Sequence, residues 1–157
     1  MVRLCRCGAP VSKSGCRACD RKKAERKERK HTRRLERKAA GLCVSCPKEA
    51  VTESRCFKCW LRMKADRYLG RPGASKILLA TWNKQRGRCA YTGVLLIPGP
   101  HASLDHIMPA SRGGKNTAEN LQWCVTSVNI AKSALNHEEF IELCRLVSRR
   151  FPKKKTP

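Results

Sequence analysis

The sequence predicts an α+β fold, in which a small strand–loop–strand–helix core with flanking helices is preceded by two metal-stapled basic helical modules. Three observations predict this arrangement. Eight of the 11 cysteines fall within the first 59 residues, Arg and Lys dominate the stretches after them, and large apolar side chains concentrate in residues 74–151. The N-terminal half has too few apolar side chains for a sizeable core, and folds of that kind usually need metal or disulfide crosslinks.

Close cysteine pairs in the N-terminal half have the spacing of zinc ligands. One cluster has the pattern C-x-C-x8-C-x2-C and the other has C-x2-C-x9-C-x2-C. Two close pairs allow four thiolates to converge tetrahedrally on one zinc ion, and four protein ligands leave that ion no open position for catalysis. We therefore expect two structural Zn²⁺ ions, with free thiols or disulfides as the alternative. The expected ligands are Cys5, Cys7, Cys16 and Cys19 for the first ion, and Cys43, Cys46, Cys56 and Cys59 for the second.

The two cysteine clusters belong to a diverged repeat with an offset of roughly 40 residues. Each cluster is followed by a basic stretch that is rich in helix-forming residues. This pattern predicts a first zinc module at residues 1–38, a second at 39–73, a third domain at 74–151 and a basic disordered tail at 152–157.

The stretch after the first cluster has the composition of a solvated helix. Residues 20–40 are nearly all Arg, Lys, Glu and Ala, and the segment has no apolar face beyond Leu35. These residues are strong helix formers, and Gly41 is a suitable stop. The net charge of the whole chain is +23, an excess that attracts polyanions. We expect the N-terminal half to bind DNA through its phosphate backbone.

Two features bear on the cellular setting. The first ten residues, MVRLCRCGAP, contain no apolar segment of the kind found in secretory signals. No run of about 18 apolar residues is available to span a membrane. We expect an intracellular protein of the cytoplasm, or of the host cytoplasm if a phage encodes it, with no membrane partner. The sequence leaves the oligomeric state open.

The C-terminal half alternates helix and strand patterns. Ile77, Leu78 and Trp82 recur at helical intervals, and Asn136 followed by Glu139 forms a capping box for a last helix that ends near Phe151. The predicted elements between residues 74 and 135 are a helix at 74–85, a strand at 102–106, a Gly-rich loop at 109–118, a strand at 120–123 and a helix at 125–135.

Polar residues around the predicted strands form an ordered set suited to phosphodiester hydrolysis. Asp105 and Asn129 offer oxygen ligands of the type that a hard divalent ion prefers. His106 is able to take a proton from water near neutral pH. The set also includes Asn120 at the start of the second predicted strand. Cations that would hold phosphate oxygens are Arg112, Lys115 and Lys132.

At residues 104–132, LDHIMPASRGGKNTAENLQWCVTSVNIAK, the chain resembles the HNH nuclease family, which has the ββα-metal fold. The resemblance covers about residues 76–135. It implies that Asp105 is the first ligand of a catalytic Mg²⁺ or Mn²⁺ ion and that Asn129 is the second. It further implies that His106 is the general base and that Asn120 fixes the loop and orients that base.

The resemblance implies an endonuclease that hydrolyses DNA to 3′-hydroxyl and 5′-phosphate ends and nicks one strand as a monomer. Compact nucleases with zinc knuckles before such a core are similar to those of phage and mobile elements, which is an association only. One alternative is a non-catalytic, zinc-dependent nucleic-acid-binding protein with a decayed nuclease fold. A second is a nuclease directed at RNA or at a particular nucleic-acid structure.

One departure from the family pattern concerns the remaining cysteines. Many members carry a further metal on two C-x-x-C pairs, whereas here Cys89 and Cys124 each lack the second thiol. Two sulfurs make a poor zinc site, so we expect both side chains to pack in the core, with a disulfide between them as the alternative. We also expect Cys144 to lie in the core.

The other histidines and the tryptophans receive structural interpretations. His31 is expected on the surface, His137 at a helix start and His101 in a loop near the catalytic strand, where substrate contact is an alternative. Trp82 and Trp123 are expected in the core rather than as base-stacking platforms. The third tryptophan, Trp60, is expected to pack on its zinc knuckle.

Overall fold

The computed structural model describes residues 3–8, 10–11, 15–70 and 73–152. Within these ranges the fold is mixed α+β, with five α-helices and one two-stranded antiparallel sheet. The elements are α1 (Arg17–Ala39), α2 (Phe57–Tyr68), α3 (Ala74–Lys84), β1 (Ala102–His106), β2 (Leu121–Val125), α4 (Thr126–Lys132) and α5 (His137–Arg150).

The chain divides into two compact units, Met1–Cys56 and Phe57–Pro157. This division differs from the boundaries at residues 38 and 73 that the repeat predicted, because α2 packs against α3 and belongs with the second unit. The predicted tail lies outside the described residues from position 153 onward. Among the described helices, none is both long and apolar enough to cross a membrane.

Helix α1 is the solvated basic helix that the composition predicted. It buries none of its residues. Its end is a Schellman motif, in which Gly41 takes a left-handed φ of 68°. The N–H of Leu42 then donates to the carbonyl of Arg37 at 2.8 Å, and the N–H of Gly41 donates to that of Lys38 at 3.1 Å. These bonds satisfy carbonyls that the helix leaves unpaired, so the predicted stop at Gly41 is confirmed.

The core of the second unit is built around three tryptophans. Trp123 is fully buried and stacks on Trp60 with ring centroids 4.9 Å apart, and Trp82 meets it edge-on at 5.3 Å. The indole N–H of Trp123 donates to the carbonyl of Leu78 at 3.1 Å, so its polar atom is satisfied inside the core. The core positions of Trp82 and Trp123 are confirmed. Trp60, expected on its zinc knuckle, instead lies in this core.

The sheet joins the two strands of the predicted core. Strand β1 has its predicted bounds, and β2 extends to Val125. Their register places Asp105 opposite Gln122 and His106 opposite Leu121. The loop between the strands contains two short 3₁₀ helices, Ala110–Arg112 and Ala118–Asn120.

Gly114 of this loop lies directly against the preceding backbone. A Cβ added there would meet the carbonyl oxygen of Met108 at 1.8 Å, so only glycine fits. Helix α4 follows β2 at once and is shorter than predicted. It ends at Lys132 because Ser133 takes a φ of 48°, which interrupts the helical backbone.

The capping box of α5 is present as the sequence predicted. The Asn136 side chain accepts a hydrogen bond from the Glu139 N–H at 2.9 Å, and the Glu139 carboxylate accepts one from the Asn136 N–H at 2.9 Å. The prediction for Cys144 on this helix is wrong, since its side chain is exposed. Helix α5 buries only Phe140, so the rest of the helix, Cys144 included, extends beyond the buried core.

Candidate functional site

Predicted polar residues of β1 and of α4 meet at one cavity of about 320 Å³. Asp105 and His106 reach it from the end of β1. Asn129 and Lys132 reach it from α4, where a spacing of three residues places both on one helix face. The cavity wall also includes Tyr68 from α2.

Asp105 is buried and held by three donors. Its side chain is 3% exposed. Oδ1 accepts from the Lys132 ammonium at 3.1 Å, while Oδ2 accepts from the Gln122 amide at 2.9 Å and from the Tyr91 hydroxyl at 3.3 Å. Burial first, and then the charge of Asp105, raise the pKa of Tyr91, so the phenol stays protonated and serves as a donor. These contacts fix the carboxylate at the rear of the cavity.

Lys132 has a different setting from the one predicted. Its side chain is 1% exposed, and its ammonium donates to Asp105 Oδ1 and, at 2.7 Å, to the backbone carbonyl of His106. A buried ammonium with these partners neutralises Asp105 and ties α4 to the end of β1. The predicted contact of Lys132 with phosphate oxygens does not agree with this burial.

The imidazole of His106 contacts Asn116 rather than the predicted Asn120. His106 Nε2 lies 2.6 Å from Asn116 Oδ1, and the His106 ring centroid lies 5.9 Å from that of Tyr68. With the amide oxygen as acceptor, Nε2 carries the proton and Nδ1 carries the lone pair. This tautomer leaves Nδ1 as the ring atom that is able to accept a proton.

Asn120 acts on the loop backbone. Its Oδ1 accepts from the N–H of Met108 at 2.8 Å, and its Nδ2 donates to the carbonyls of Met108 at 3.0 Å and Lys115 at 2.9 Å. The amide therefore joins Met108 to Lys115, the residue that precedes Asn116. Its effect on His106 is indirect, since it holds the path of the loop.

The side-chain amide of Asn129 is anchored through its nitrogen rather than its oxygen. Nδ2 donates to the Ser103 hydroxyl at 2.8 Å and to the Leu104 carbonyl at 3.4 Å. Among the described residues, no donor is bonded to Asn129 Oδ1. An amide oxygen and a carboxylate are the ligand types that Mg²⁺ and Mn²⁺ take in proteins. Asp105 Oδ1 accepts one hydrogen bond and keeps a second lone pair, so Asp105 and Asn129 are the residues that would offer oxygen ligands to such an ion.

The other two predicted phosphate-binding residues lie on the loop outside this cavity. Arg112 forms a hydrogen-bonded ion pair with Glu139 at the start of α5. The Arg112 hydrogen bond, followed by the Asn136 N–H, lowers the pKa of Glu139. Lys115 is exposed, and its contact with the site is the backbone carbonyl that Asn120 uses. Arg112 thus joins the loop to α5, and only Lys115 presents a free side chain to solvent.

The two cysteine clusters of the N-terminal half are both assembled. In each set of four, all sulfur atoms lie within 4.8 Å of one another. The sulfur atoms of Cys5 and Cys19 lie 3.5 Å apart, and those of Cys46 and Cys56 lie 3.4 Å apart. Zn–S bonds of about 2.3 Å in a tetrahedron place sulfurs roughly 3.8 Å apart, so both clusters are compatible with structural zinc.

The electrostatics of the second cluster also suit a metal. Burial opposes ionisation of the Cys43 thiol, but backbone N–H donors from Cys56, Ser45 and Cys46 outweigh it and lower the pKa of Cys43 to about 6. In the first cluster, hydrogen bonds with the neighbouring thiols raise the pKa of Cys19 to about 12. Crowded thiols of this kind are stabilised as thiolates when a cation binds among them.

Cys89 lies on a turn with the backbone pattern of the second cluster. The N–H of Cys89 donates to the carbonyl of Val94 at 2.8 Å, just as the N–H of Cys43 donates to that of Lys48 at 2.8 Å. Backbone donors also reach the Cys89 sulfur, including the N–H of Val125 at 3.4 Å. The second unit therefore contains a turn of this type with a single thiol.

Cys89 and Cys124 pack in the core as predicted, at 3% and 0% exposure. Both are free thiols, so the alternative of a disulfide is not adopted. Burial first, and then the charge of Asp105, raise the pKa of Cys124 to about 12. This thiol is accordingly a protonated core group beside the site.

The remaining histidines lie outside the cavity lining. His101 Nδ1 accepts from the N–H of Ile97 at 3.2 Å, which braces the loop before β1. His137 stacks on Tyr91 with ring centroids 5.4 Å apart. His31 is exposed on α1, as predicted.

Sequence reasoning missed three residues that hold the site: Asn116, Gln122 and Tyr91. Gln122 was detectable in principle. Once the two predicted strands are paired in the observed register, Gln122 lies directly opposite Asp105. Asn116 and Tyr91 lie on turns whose paths no local pattern specifies. Comparison of the chain with protein-family models gives no match, and a search of curated proteins gives none either.

Proposed function

We propose that the chain is a metal-dependent endonuclease of the HNH type that hydrolyses DNA phosphodiester bonds. The observation that carries this proposal is the meeting of a carboxylate, an imidazole and an amide at one cavity, with Asp105 and His106 supplied by β1 and Asn129 by α4. Hydrolysis of a phosphodiester needs a base for water and a positive charge near phosphorus. These three side chains are suited to both requirements.

In the proposed mechanism, His106 Nδ1 takes a proton from the attacking water as the water oxygen bonds to phosphorus. The bond from phosphorus to the 3′ oxygen breaks, and that oxygen leaves as a hydroxyl after protonation by solvent. Asp105 and Asn129 would hold a divalent ion, which supplies polarisation of the phosphate and stabilisation of the leaving oxygen. Asn116 orients the imidazole, and Lys132 holds Asp105 in place.

The charge of the chain supports a nucleic acid as the substrate, and we propose DNA. A net charge of +23 provides a large electrostatic attraction to any polyphosphate. One cavity of this kind acts on one strand, so we propose that a monomer nicks. Reduced thiols at the two cysteine clusters suit an intracellular compartment, which is the setting we propose.

The test is incubation of the purified protein with supercoiled plasmid and Mg²⁺ or Mn²⁺. We expect open-circular product with 3′-hydroxyl ends. His106→Ala should lower the cleavage rate by about 10² to 10⁴-fold, the usual contribution of a general base, without changing DNA affinity. His31→Ala is the matched control, since it removes an exposed imidazole outside the cavity. Equal rates for wild type and His106→Ala would overturn the proposed role of His106.

A second candidate is a zinc-dependent nucleic-acid-binding protein in which this cavity is not catalytic. The observation that favours it is the burial of Asp105 with all three of its donors, since the Lys132 ammonium already neutralises the carboxylate. Plasmid that stays supercoiled with every divalent ion, while binding persists, would support this candidate. Cleavage assays on duplex, branched and single-stranded DNA and on RNA then distinguish the substrate classes.

A further inference from the structure

A cavity of about 430 Å³ lies in the first unit, between α1 and the knuckle that holds Cys43 and Cys46. One wall consists of four cationic side chains spaced as i, i+3, i+4 and i+7, which places them on one face of α1. The opposite wall is the turn at residues 44–47, which is mainly apolar. The lining residues, here called the basic groove, are Lys30, Arg33, Arg34, Arg37, Val44, Ser45, Cys46 and Pro47.

Arg37 fixes the shape of the basic groove. Its Nε donates to the carbonyl of Cys43 at 2.8 Å, and its Nη2 donates to the carbonyl of Cys46. One planar guanidinium thus joins the last turns of α1 to the backbone of two cysteines in the second cluster. A lysine has the same charge but lacks the two-pronged donor geometry.

The other three cations of the basic groove are not neutralised by the protein. Within the described ranges, no carboxylate lies within ion-pair distance of Lys30, Arg33 or Arg34, and none lines the cavity. The neighbouring acid Glu28 lies on the opposite face of the helix, since two residues correspond to a rotation of about 200° from Lys30. Uncompensated cations along a concave wall concentrate the electrostatic field and attract anions.

We infer that the basic groove is a binding site for the phosphodiester backbone of nucleic acid. Lys30, Arg33 and Arg34 contact phosphate oxygens, and the apolar walls at Val44 and Pro47 face the sugar. Arg37 is a positioning residue that sets the width of the groove. The inference rests on the nucleic-acid partner of the proposed function, but it does not depend on catalysis.

The experiment measures the affinity of the zinc-loaded chain, residues 1–157, for a mixed-sequence DNA duplex as a function of salt. The groove variant combines Lys30→Gln, Arg33→Gln and Arg34→Gln. Each phosphate contact contributes a slope of about 0.9 in log K against log salt, so three lost contacts should reduce the slope by about 2.7. The affinity near physiological salt should fall about tenfold or more.

A matched control removes the same charge from the same helix outside the basic groove, by Arg17→Gln, Lys22→Gln and Arg29→Gln. All three residues are exposed on α1. We expect this control to reduce the slope by less than the value of about 0.9 that one phosphate contact contributes. If the control weakens binding as much as the groove variant does, or if the groove variant binds like wild type, the inference is overturned.

Arg37→Lys tests the geometry separately from the charge. We expect a severalfold loss of affinity and a smaller salt slope at unchanged net charge and unchanged zinc content. Zinc content and helix content are measured for every variant, so that a folding defect is recognised. Wild-type affinity for Arg37→Lys would contradict the positioning role of Arg37.

Two further outcomes distinguish this inference from binding to an acidic protein and from the proposed nuclease function. If an acidic polypeptide competes with DNA for the groove at equal charge concentration, the partner is an acidic protein and the assignment to nucleic acid is overturned. If the groove variant loses DNA binding while the wild type never cleaves DNA, the groove inference stands and the proposed nuclease function fails.

Discussion

Replacing Lys132 by methionine should destabilise the second unit strongly, because the substitution leaves Asp105 as a buried charge without its cation. The two side chains are 1% and 3% exposed, and their charged atoms lie 3.1 Å apart. Methionine keeps the length and most of the volume of lysine, so the change removes the charge and two hydrogen bonds rather than the packing.

The expected cost follows from the burial of this pair. Removing one partner of a buried ion pair typically costs about 3–5 kcal/mol, whereas an exposed pair contributes only about 0–1 kcal/mol. The Tyr91 and Gln122 donors stay in place and solvate Asp105 in part, so we expect a value near the lower end, about 3 kcal/mol. Lys84→Met, at an exposed lysine of α3, should change stability by less than about 0.5 kcal/mol.

Equilibrium urea unfolding followed by tryptophan fluorescence is the appropriate assay. All three tryptophans of the chain lie in the core of the second unit, so their emission reports on that unit. The double variant Asp105→Asn with Lys132→Met should be destabilised by about 1–3 kcal/mol less than the sum of its single variants, since the second change removes the unpaired group. A loss below about 1 kcal/mol for Lys132→Met, or additive single variants, would refute the buried-pair reasoning.

Four further predictions concern the loop, the last helix and the cysteine clusters. Gly114→Ala should lower the free energy of unfolding by about 3 kcal/mol or more because its Cβ meets a backbone carbonyl. Gly113→Ala, with open space around it, should lower it by only about 1–2 kcal/mol for its positive φ. Urea unfolding compares the two variants. Asn136→Ala should cost about 1 kcal/mol through loss of the cap. The Arg112 hydrogen bond lowers the pKa of Glu139 in the folded state. The ionised Glu139 side chain therefore contributes its full stabilisation above the unfolded pKa, and this stabilisation is lost as pH falls through the folded pKa. Glu139→Gln should flatten this acid dependence of stability. Elemental analysis should find about two zinc ions per chain, one for each four-cysteine cluster.

Three of these four predictions are contradicted by a specific outcome. Equal stabilities for the two glycine variants would show that the loop relaxes around the added methyl group. An unchanged acid profile in Glu139→Gln would show that the ion pair with Arg112 does not form in solution. Purified protein with no zinc would disprove the metal assignment of both clusters.

Local patterns predicted the elements of the chain well because the controlling interactions lie within a few residues. The stop at Gly41 depends on a left-handed φ next to the last helical turn, and the start of α5 depends on Asn136 and Glu139 three residues apart. Cysteine spacing predicted two clusters because each pair is confined by a tight turn. Such interactions are specified by neighbours in sequence, so the sequence alone is sufficient for them.

The interpretation of individual side chains was weaker wherever burial or loop path determines the result. Lys132 was expected to face phosphate but is buried against Asp105, and Cys144 was expected in the core but is exposed. A lysine or a cysteine at a given position of a helix is compatible with either burial or exposure. The outcome depends on which neighbouring element covers the helix, and no periodicity specifies that.

The sequence by itself determined the approximate positions of the helices and strands, the two cysteine clusters and the order of Asp105, His106 and Asn129 along the chain. Only the tertiary structure decided that Asn116 contacts the imidazole while Asn120 secures the loop, and that Arg37 closes the basic groove against the second cluster. The physical reason is that these contacts join segments whose separation is set by the folded loops, and a side chain binds whichever partner that folding brings within hydrogen-bond distance.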